Sequence, residues 1–308
     1  MKEETSLHTF PPGLIGLLAG LTLGWGLNWP MMKLVISEMQ PMHFRTFCLL
    51  GGAISLLAIT HVKGLSIRVH KGQWTRLAAV ALFNITSWNV LAIYGVRLMA
   101  SGRASILGYT MPAWSVLLST CLLGEPFTKR RALGVTLGLM GVGLLMGSEI
   151  QAVGRSPLGA VLMTGAALSW AFANVIMKRW PVDLPTTAYV GWQMIIGVVP
   201  IFITALAWED GTFNPFALAR GPMFAVFYCL GIGYVFCYWA WTKIVVIVPV
   251  GVSSLAVMMT PVVGVFSGML VLGETPHWQD FAALVAVTGS LATVMLPPRK
   301  PKSSLSSV

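Results

Sequence analysis

One stretch of this chain is written twice, and that repetition limits what the chain can fold into. Ser105-Ile-Leu-Gly-Tyr-Thr-Met-Pro112, leading on to Gly124-Glu125-Pro126, returns as Ser254-Leu-Ala-Val-Met-Met-Thr-Pro261, leading on to Gly273-Glu274-Thr275-Pro276. The serine, the proline and the Gly-Glu pair each recur 149 positions later in a chain of 308 residues. Both copies are uncharged from serine to glutamate, which at about 1.5 Å per helical residue is long enough to cross a hydrocarbon core of roughly 30 Å. Each carries an internal proline. Its ring removes an intrahelical hydrogen bond and presses on the carbonyl four residues back, here Gly108 or Val257, so a broken helix is expected in each copy. Broken helices at matching positions of two halves point to the central site of a transporter, with Pro112 and Pro261 as its hinges.

The rest of the chain is equally apolar. Hydrophobic residues make up 56% and charged residues 10%, against roughly 25% charged in a soluble domain. Uncharged windows lie at 13–32, 46–59, 77–96, 104–124, 132–148, 156–177, 184–208, 221–242, 244–273 and 281–298. The second is short but extends back past Arg45 towards Pro41, which gives ten expected spans. A formal charge of +10 would suggest nucleic acid in a soluble protein, but here its distribution follows the membrane. With the amino terminus inside, fourteen Lys and Arg fall on inner loops and tails, against six outside: Lys33, Arg45, Arg97, Arg103, Arg155 and Arg220. That bias places both termini in the cytoplasm. The four cysteines, Cys48, Cys121, Cys229 and Cys237, fall inside spans without metal or disulfide spacing. The first apolar segment lacks a cleavage site and reads as a retained helix.

A second echo extends the duplication. Trp25-Gly-Leu-Asn28-Trp29-Pro30-Met-Met-Lys33 is matched by Trp170-Ala-Phe-Ala-Asn174-Val-Ile-Met-Lys178, here 145 positions on. Residues 1–12 form a polar cytoplasmic lead-in, 13–148 the first repeat, 156–296 the second, and 297–308 a basic, proline-rich tail expected to be disordered. Five spans per repeat is an odd number, so the second repeat enters the bilayer from the opposite side. The expected architecture is all-α, with ten transmembrane helices as two inverted five-helix repeats. Such an arrangement makes alternating access cheap, because the two copies exchange conformations to open one side and then the other.

Leu123-Gly124-Glu125-Pro126-Phe127-Thr128, followed by Gly134, Gly138 and Gly141, together with the repeated Trp…Asn…Lys pattern, resembles the EamA domains of the drug/metabolite transporter superfamily. Ten spans with aromatic-rich third and eighth helices are most similar to the YddG-type amino-acid exporters of bacterial inner membranes. The resemblance implies export of aromatic and other hydrophobic amino acids, with no cofactor and no obligatory protein partner. Thr275 departs from the pattern before its proline.

Candidate site residues follow from helical faces. Trp25, Trp29 and Lys33 share one face, with Asn28 beside it, and Trp170, Asn174 and Lys178 share another. These faces line a central cavity, or else the tryptophans pack and the lysines snorkel to headgroups. On the third span Asn84, Ser87 and Trp88 occupy a narrow sector, and Asn89 points away from it. On the eighth span Tyr234 and Tyr238 are deep enough to form a cavity wall, whereas Trp239 and Trp241 belong to an interfacial belt. Tyr109, Ser105, Ser254, Met258 and Thr260 flank the prolines, where freed carbonyls are placed to hold a substrate ammonium while lysine or amide side chains meet its carboxylate. Glu125 and Glu274 are explained by the amino-terminal dipole of the helix that follows each.

Two other classes of function are disfavoured. A membrane-embedded lipid-modifying enzyme needs clustered histidines or paired acids, but His8, His43, His61, His70 and His277 are scattered, as are Asp183, Asp210 and Asp280. A channel needs a charged ring or a carbonyl filter, and neither pattern occurs. Export of other small metabolites or of cationic drugs stays open as the alternative to amino acids.

Overall fold

Segments rich in Val, Ile and Thr, such as Thr186–Trp208, would favour strands in water. In lipid every backbone group must be satisfied within its own segment, and such segments become helices. The computed structural model describes residues 12–151, 157–211, 213–240 and 250–295, and among these the regular structure is helical, without strands. The helices are α1 (Pro12–Val35), α2 (Pro41–Val62), α3 (Trp74–Leu98), α4 (Ser101–Leu123), α5 (Lys129–Gln151), α6 (Leu158–Arg179), α7 (Thr186–Trp208), α8 (Arg220–Ala240), α9 (Val250–Leu272) and α10 (Trp278–Met295). Six of them, α2, α3, α4, α6, α7 and α8, are long and apolar enough to cross a bilayer. Large apolar side chains such as Ile54, Ile203, Phe224, Leu270 and Val285 cover the outside of the bundle. A belt of that size suits lipid, not water. The lead-in and the tail lie outside the described residues.

Sequence marks the helix ends. Pro41 opens α2 at a position where its missing N–H is harmless. Gly124 and Gly273 close α4 and α9 in the left-handed conformation (φ 68° and 65°), which a side chain would strain. In both copies the next glutamate's amide donates back to a carbonyl, Glu125 to Ser119 and Glu274 to Gly268, each at 3.3 Å. The glycine of the repeated Gly-Glu pair is therefore a helix stop.

Helix α1 packs on α8 and α9, α6 on α3 and α4, α2 on α7, α4 on α9 and α5 on α10. Several of these approaches need glycine. A Cβ on Gly26 would lie 2.4 Å from Val263 Cγ1, and one on Gly191 2.8 Å from Leu57 Cγ. Buried hydroxyls tie the contacts together. Thr60 Oγ1 donates to Thr187 Oγ1 (2.7 Å), Ser169 Oγ to the Phe83 carbonyl (2.7 Å) and Ser290 Oγ to the Gly134 carbonyl (2.6 Å).

Three departures from the expected helices matter for the site. First, α3 and α8 each contain a π-helical segment, Leu82–Ser87 and Cys229–Phe236. Second, α4 is interrupted at Tyr109–Thr110, where Thr110 Oγ1 donates to the Leu107 carbonyl (2.6 Å), and it resumes at Met111. By contrast α9 runs without a break through Pro261, so the two copies of the proline sit in unlike surroundings. Third, Glu274 does not serve the helix that follows it. Its carboxylate crosses to the start of α4, accepting from Ser101 N (2.6 Å), Ser101 Oγ (3.0 Å) and Gly102 N (3.1 Å).

Glu274 belongs to a pattern at one end of the bundle. Glu209, at the end of α7, caps α2 by accepting from Met42 N (3.0 and 2.9 Å) and His43 N (3.1 Å). Glu38, beyond the end of α1, accepts from Ala219 N at the start of α8 (2.8 Å). In each case a carboxylate beyond the carboxyl end of one helix satisfies the free amides and positive dipole of a different helix. These three cross-links tie different helices to one another at that end of the bundle.

Candidate substrate cavity

Between α1, α2, α3, α4, α6, α7 and α8 lies a cavity of about 580 Å³, within the roughly 300–1,000 Å³ usual for small-molecule sites. Its partly exposed lining residues Ser119, Leu123, Glu125 and Arg131, with the exposed Thr186, mark its mouth at the end opposite the three carboxylate caps. Glu125 and Arg131 form an ion pair there at 3.1 Å. The far end is buried around Arg45, Asn89 and Tyr234.

Aromatic pairs make the walls. Trp25 meets Tyr238 edge-on at 6.1 Å, Trp29 meets Tyr109 at 6.4 Å, and Trp88 meets Trp170 at 4.8 Å. Gly108 makes room for Trp29, since a Cβ there would fall 2.9 Å from the indole Cη2. Edge-to-face pairs present both ring faces and ring edges to a guest, which suits a flat apolar group. Polar groups are few. Asn28 and Asn174 line the cavity, and Asn84 Nδ2 donates to Gln193 Oε1 at 2.8 Å.

Ten of the residues singled out from sequence thus meet in one cavity: the six aromatics just paired, Asn28, Asn84 and Asn174, and Tyr234 at the buried end. Tyr234 stacks on Tyr238 with ring centroids 6.0 Å apart. Lys33 is placed elsewhere. It shares a helical face with Trp29 but lies one turn further on, where its Nζ donates to the carbonyls of Val96 (2.9 Å) and Met99 at the carboxyl end of α3. That negative helix end accounts for a lysine so close to the apolar core. The side chains of Ser254, Met258, Lys178 and Pro112, together with Trp241, lie outside the described residues.

Among the lining residues not singled out from sequence as site residues, Arg45, Asn89 and Gln193 are polar and buried. Asn89 follows Asn84 by five positions, about 140° away on an ordinary helix. A π turn hydrogen-bonds i to i+5 and nearly superposes such residues. Ser87 Oγ marks that spacing by donating to the Leu82 carbonyl at 2.9 Å, and both asparagines consequently face the cavity. Charge counting puts Arg45 with the outer side, yet α2 starts four residues before it and it is only 3% exposed. The available clue was Pro41, a helix-opening residue that places the arginine inside the span, where charge signals function. Gln193 carries no such local sign. Among the described residues no group of three or more His, Cys, Asp or Glu is placed to hold a metal ion.

Comparison with known proteins identifies the family and the fold. The sequence profile of the EamA-like transporter family matches residues 12–147 and 157–296. The chain is 26% identical over 262 residues to the uncharacterized transporter YoaV of Bacillus subtilis, covering 85% of this chain and 89% of that protein. It is 22% identical over 293 residues to a probable amino-acid metabolite efflux pump of Salmonella typhimurium, covering 91% and 93%. A solved crystal structure superposes with a TM-score of 0.65 at 17% identity, over 92% of this chain and 96% of the other, and shows a shared fold.

Proposed function

Because the chain belongs to the EamA-like transporter family, we propose that it is a secondary transporter exporting amino acids, aromatic and other hydrophobic ones preferred, across the bacterial inner membrane. The observation that carries this reading is the cavity walled by Trp25–Tyr238, Trp29–Tyr109 and Trp88–Trp170. Stacking in such a wall contributes about 0.5–1.5 kcal/mol per aromatic pair. The relative named as a probable amino-acid metabolite efflux pump points the same way, and kinship with YddG-type exporters is part of the same proposal.

The proposed mechanism is alternating access by two inverted five-helix repeats, residues 13–148 and 156–296. Exchanging each helix for the one five places on preserves the main packing pairs: α1 on α9 becomes α6 on α4, α3 on α6 becomes α8 on α1, and α2–α7, α4–α9 and α5–α10 map onto themselves. The two Gly-Glu motifs also differ as one state of such a machine requires, Glu274 buttressing the closed end and Glu125 standing at the open mouth. With both termini cytoplasmic the mouth faces the cytoplasm, ready to load. The break in α4 ahead of Pro112 and the proline in α9, Pro261, are the proposed hinges.

Two measurements test this. In liposomes, purified protein should exchange labelled phenylalanine or tryptophan against unlabelled amino acid well above protein-free vesicles. Absence of flux for every amino acid would remove the substrate assignment. For topology, Ser37→Cys and Asp183→Cys, both at exposed positions, should react with a membrane-impermeant thiol reagent from opposite sides. Labelling of both from one side would end the inverted-repeat reading.

A further inference from the structure

The buried end of the cavity holds a cation with no carboxylate beside it. Arg45 is 3% exposed. Its Nη1 donates to Tyr234 Oη at 2.7 Å, its Nη2 meets only the thioether of Met32 at 3.0 Å, and its Nε has no partner. Among the described residues no Asp or Glu lies within ion-pairing distance of it. Glu209, which meets α2 one turn earlier, is engaged by Met42 N, His43 N and the His43 ring (3.1 Å). A guanidinium cannot shed its proton, and a buried charge without a counter-ion is strongly unfavourable. The planar fork of N–H groups matches a carboxylate in two-point contact.

The partner side of the cavity is complementary. Asn28 Oδ1 and Asn84 Oδ1 are buried acceptors without partners in the same lining. Tyr234 Oη, already an acceptor for Arg45, donates to Asn89 Oδ1 at 2.6 Å, and Asn89 Nδ2 donates to the Ile85 carbonyl at 2.8 Å. That relay fixes the arginine's position, and it leaves Nε without a hydrogen-bond partner inside the protein. Deepening the amino-acid reading above, and resting on it, we propose that Arg45 receives the substrate's α-carboxylate while Asn28 and Asn84 accept from its ammonium group. The carrier is then selective for a carboxylate next to an apolar side chain, and it rejects amines that lack one. The repeat supplies no second arginine: 145 positions on from Arg45 stands Val190, also in the lining, so the substrate has one orientation in the cavity.

The test measures binding of phenylalanine, phenylpropanoate, phenethylamine and leucine to purified wild type, Arg45→Lys and Arg45→Gln, by quenching of tryptophan fluorescence. Wild type is expected to bind phenylalanine and phenylpropanoate and to bind phenethylamine far more weakly. Arg45→Gln should lose roughly 30-fold or more in affinity for the carboxylates. Arg45→Lys, which keeps the charge but not the fork, should fall between. A single symmetric peak in gel filtration and an unchanged melting temperature identify folded variants, and Arg45→Lys serves as the variant of record if Arg45→Gln does not fold. Binding of phenethylamine as tight as that of phenylalanine, or equal phenylalanine affinity in wild type and folded variants, overturns the assignment and leaves the aromatic reading standing. Arg45-dependent binding of leucine without either aromatic carboxylate overturns the aromatic preference and leaves Arg45 in its role. No binding of any carboxylate overturns both.

Discussion

Replacing Gly197 with alanine should destabilise the protein by about 1–3 kcal/mol, the usual cost of overpacking a well-filled contact. A Cβ at this position of α7 would lie 2.5 Å from Ile85 Cβ, 2.6 Å from Ile85 Cγ2 and 3.2 Å from the Ala81 carbonyl. Two of those atoms belong to a stiff β-branched side chain and the third to backbone, so none can yield as the tip of a flexible side chain would. The contact also carries function. Ile85 lies in the π segment that turns Asn84 and Asn89 into the cavity, and Thr86 Oγ1 of the same segment donates to the Gly197 carbonyl at 2.8 Å. The expected result is a melting temperature several degrees below wild type in detergent and weaker substrate binding. Gly143→Ala is the control, since nothing lies within 4 Å of its added Cβ. Equal melting of wild type and Gly197→Ala would mean that the α3–α7 contact is looser than its geometry implies.

Glu274→Gln should unlock the closed end. The glutamate accepts three hydrogen bonds at the start of α4, and bonds to an ionised group contribute about 1.5–3 kcal/mol. A glutamine keeps one acceptor oxygen, but it turns an amide NH₂ towards donors that already converge there, and it loses the attraction to the helix dipole. The population open at that end should rise roughly tenfold or more. A cysteine at Val265, buried in α9 where Gly102 makes its closest approach, reports it when the four native cysteines are removed. Faster modification of Val265→Cys from the outside in the Glu274→Gln background is expected. An unchanged rate would show that the Arg103–Asp280 pair beside it, at 2.7 Å, holds the end closed without help.

Residues whose role depends on a local period were legible in advance. Trp25 and Trp29 stand one helical turn apart, as do Trp170 and Asn174, and each pair arrives on the cavity together because an unbroken helix returns a side chain to the same face every 3.6 residues. The Gly-Glu pair marked the ends of α4 and α9 for a similar reason, as a left-handed cap is a one-residue conformational demand. Where the backbone leaves the regular period, the reading fails. The π turn in α3 carries Asn89 to a face that ordinary helical geometry denies it.

The amino-acid order alone therefore determined that this is a duplicated set of apolar helices, where several of them stop, and which aromatic faces are available. These follow from chain length, charge distribution and short-range backbone preference. Only the tertiary structure decided which distant groups meet: that Glu274 serves α4 and not α10, that Lys33 is taken by α3 carbonyls, and that Arg45 reaches Tyr234 across 189 positions without a carboxylate. The physical reason is that a charge in lipid must find its partner through space. The partner's identity depends on how helices pack, which no local period encodes.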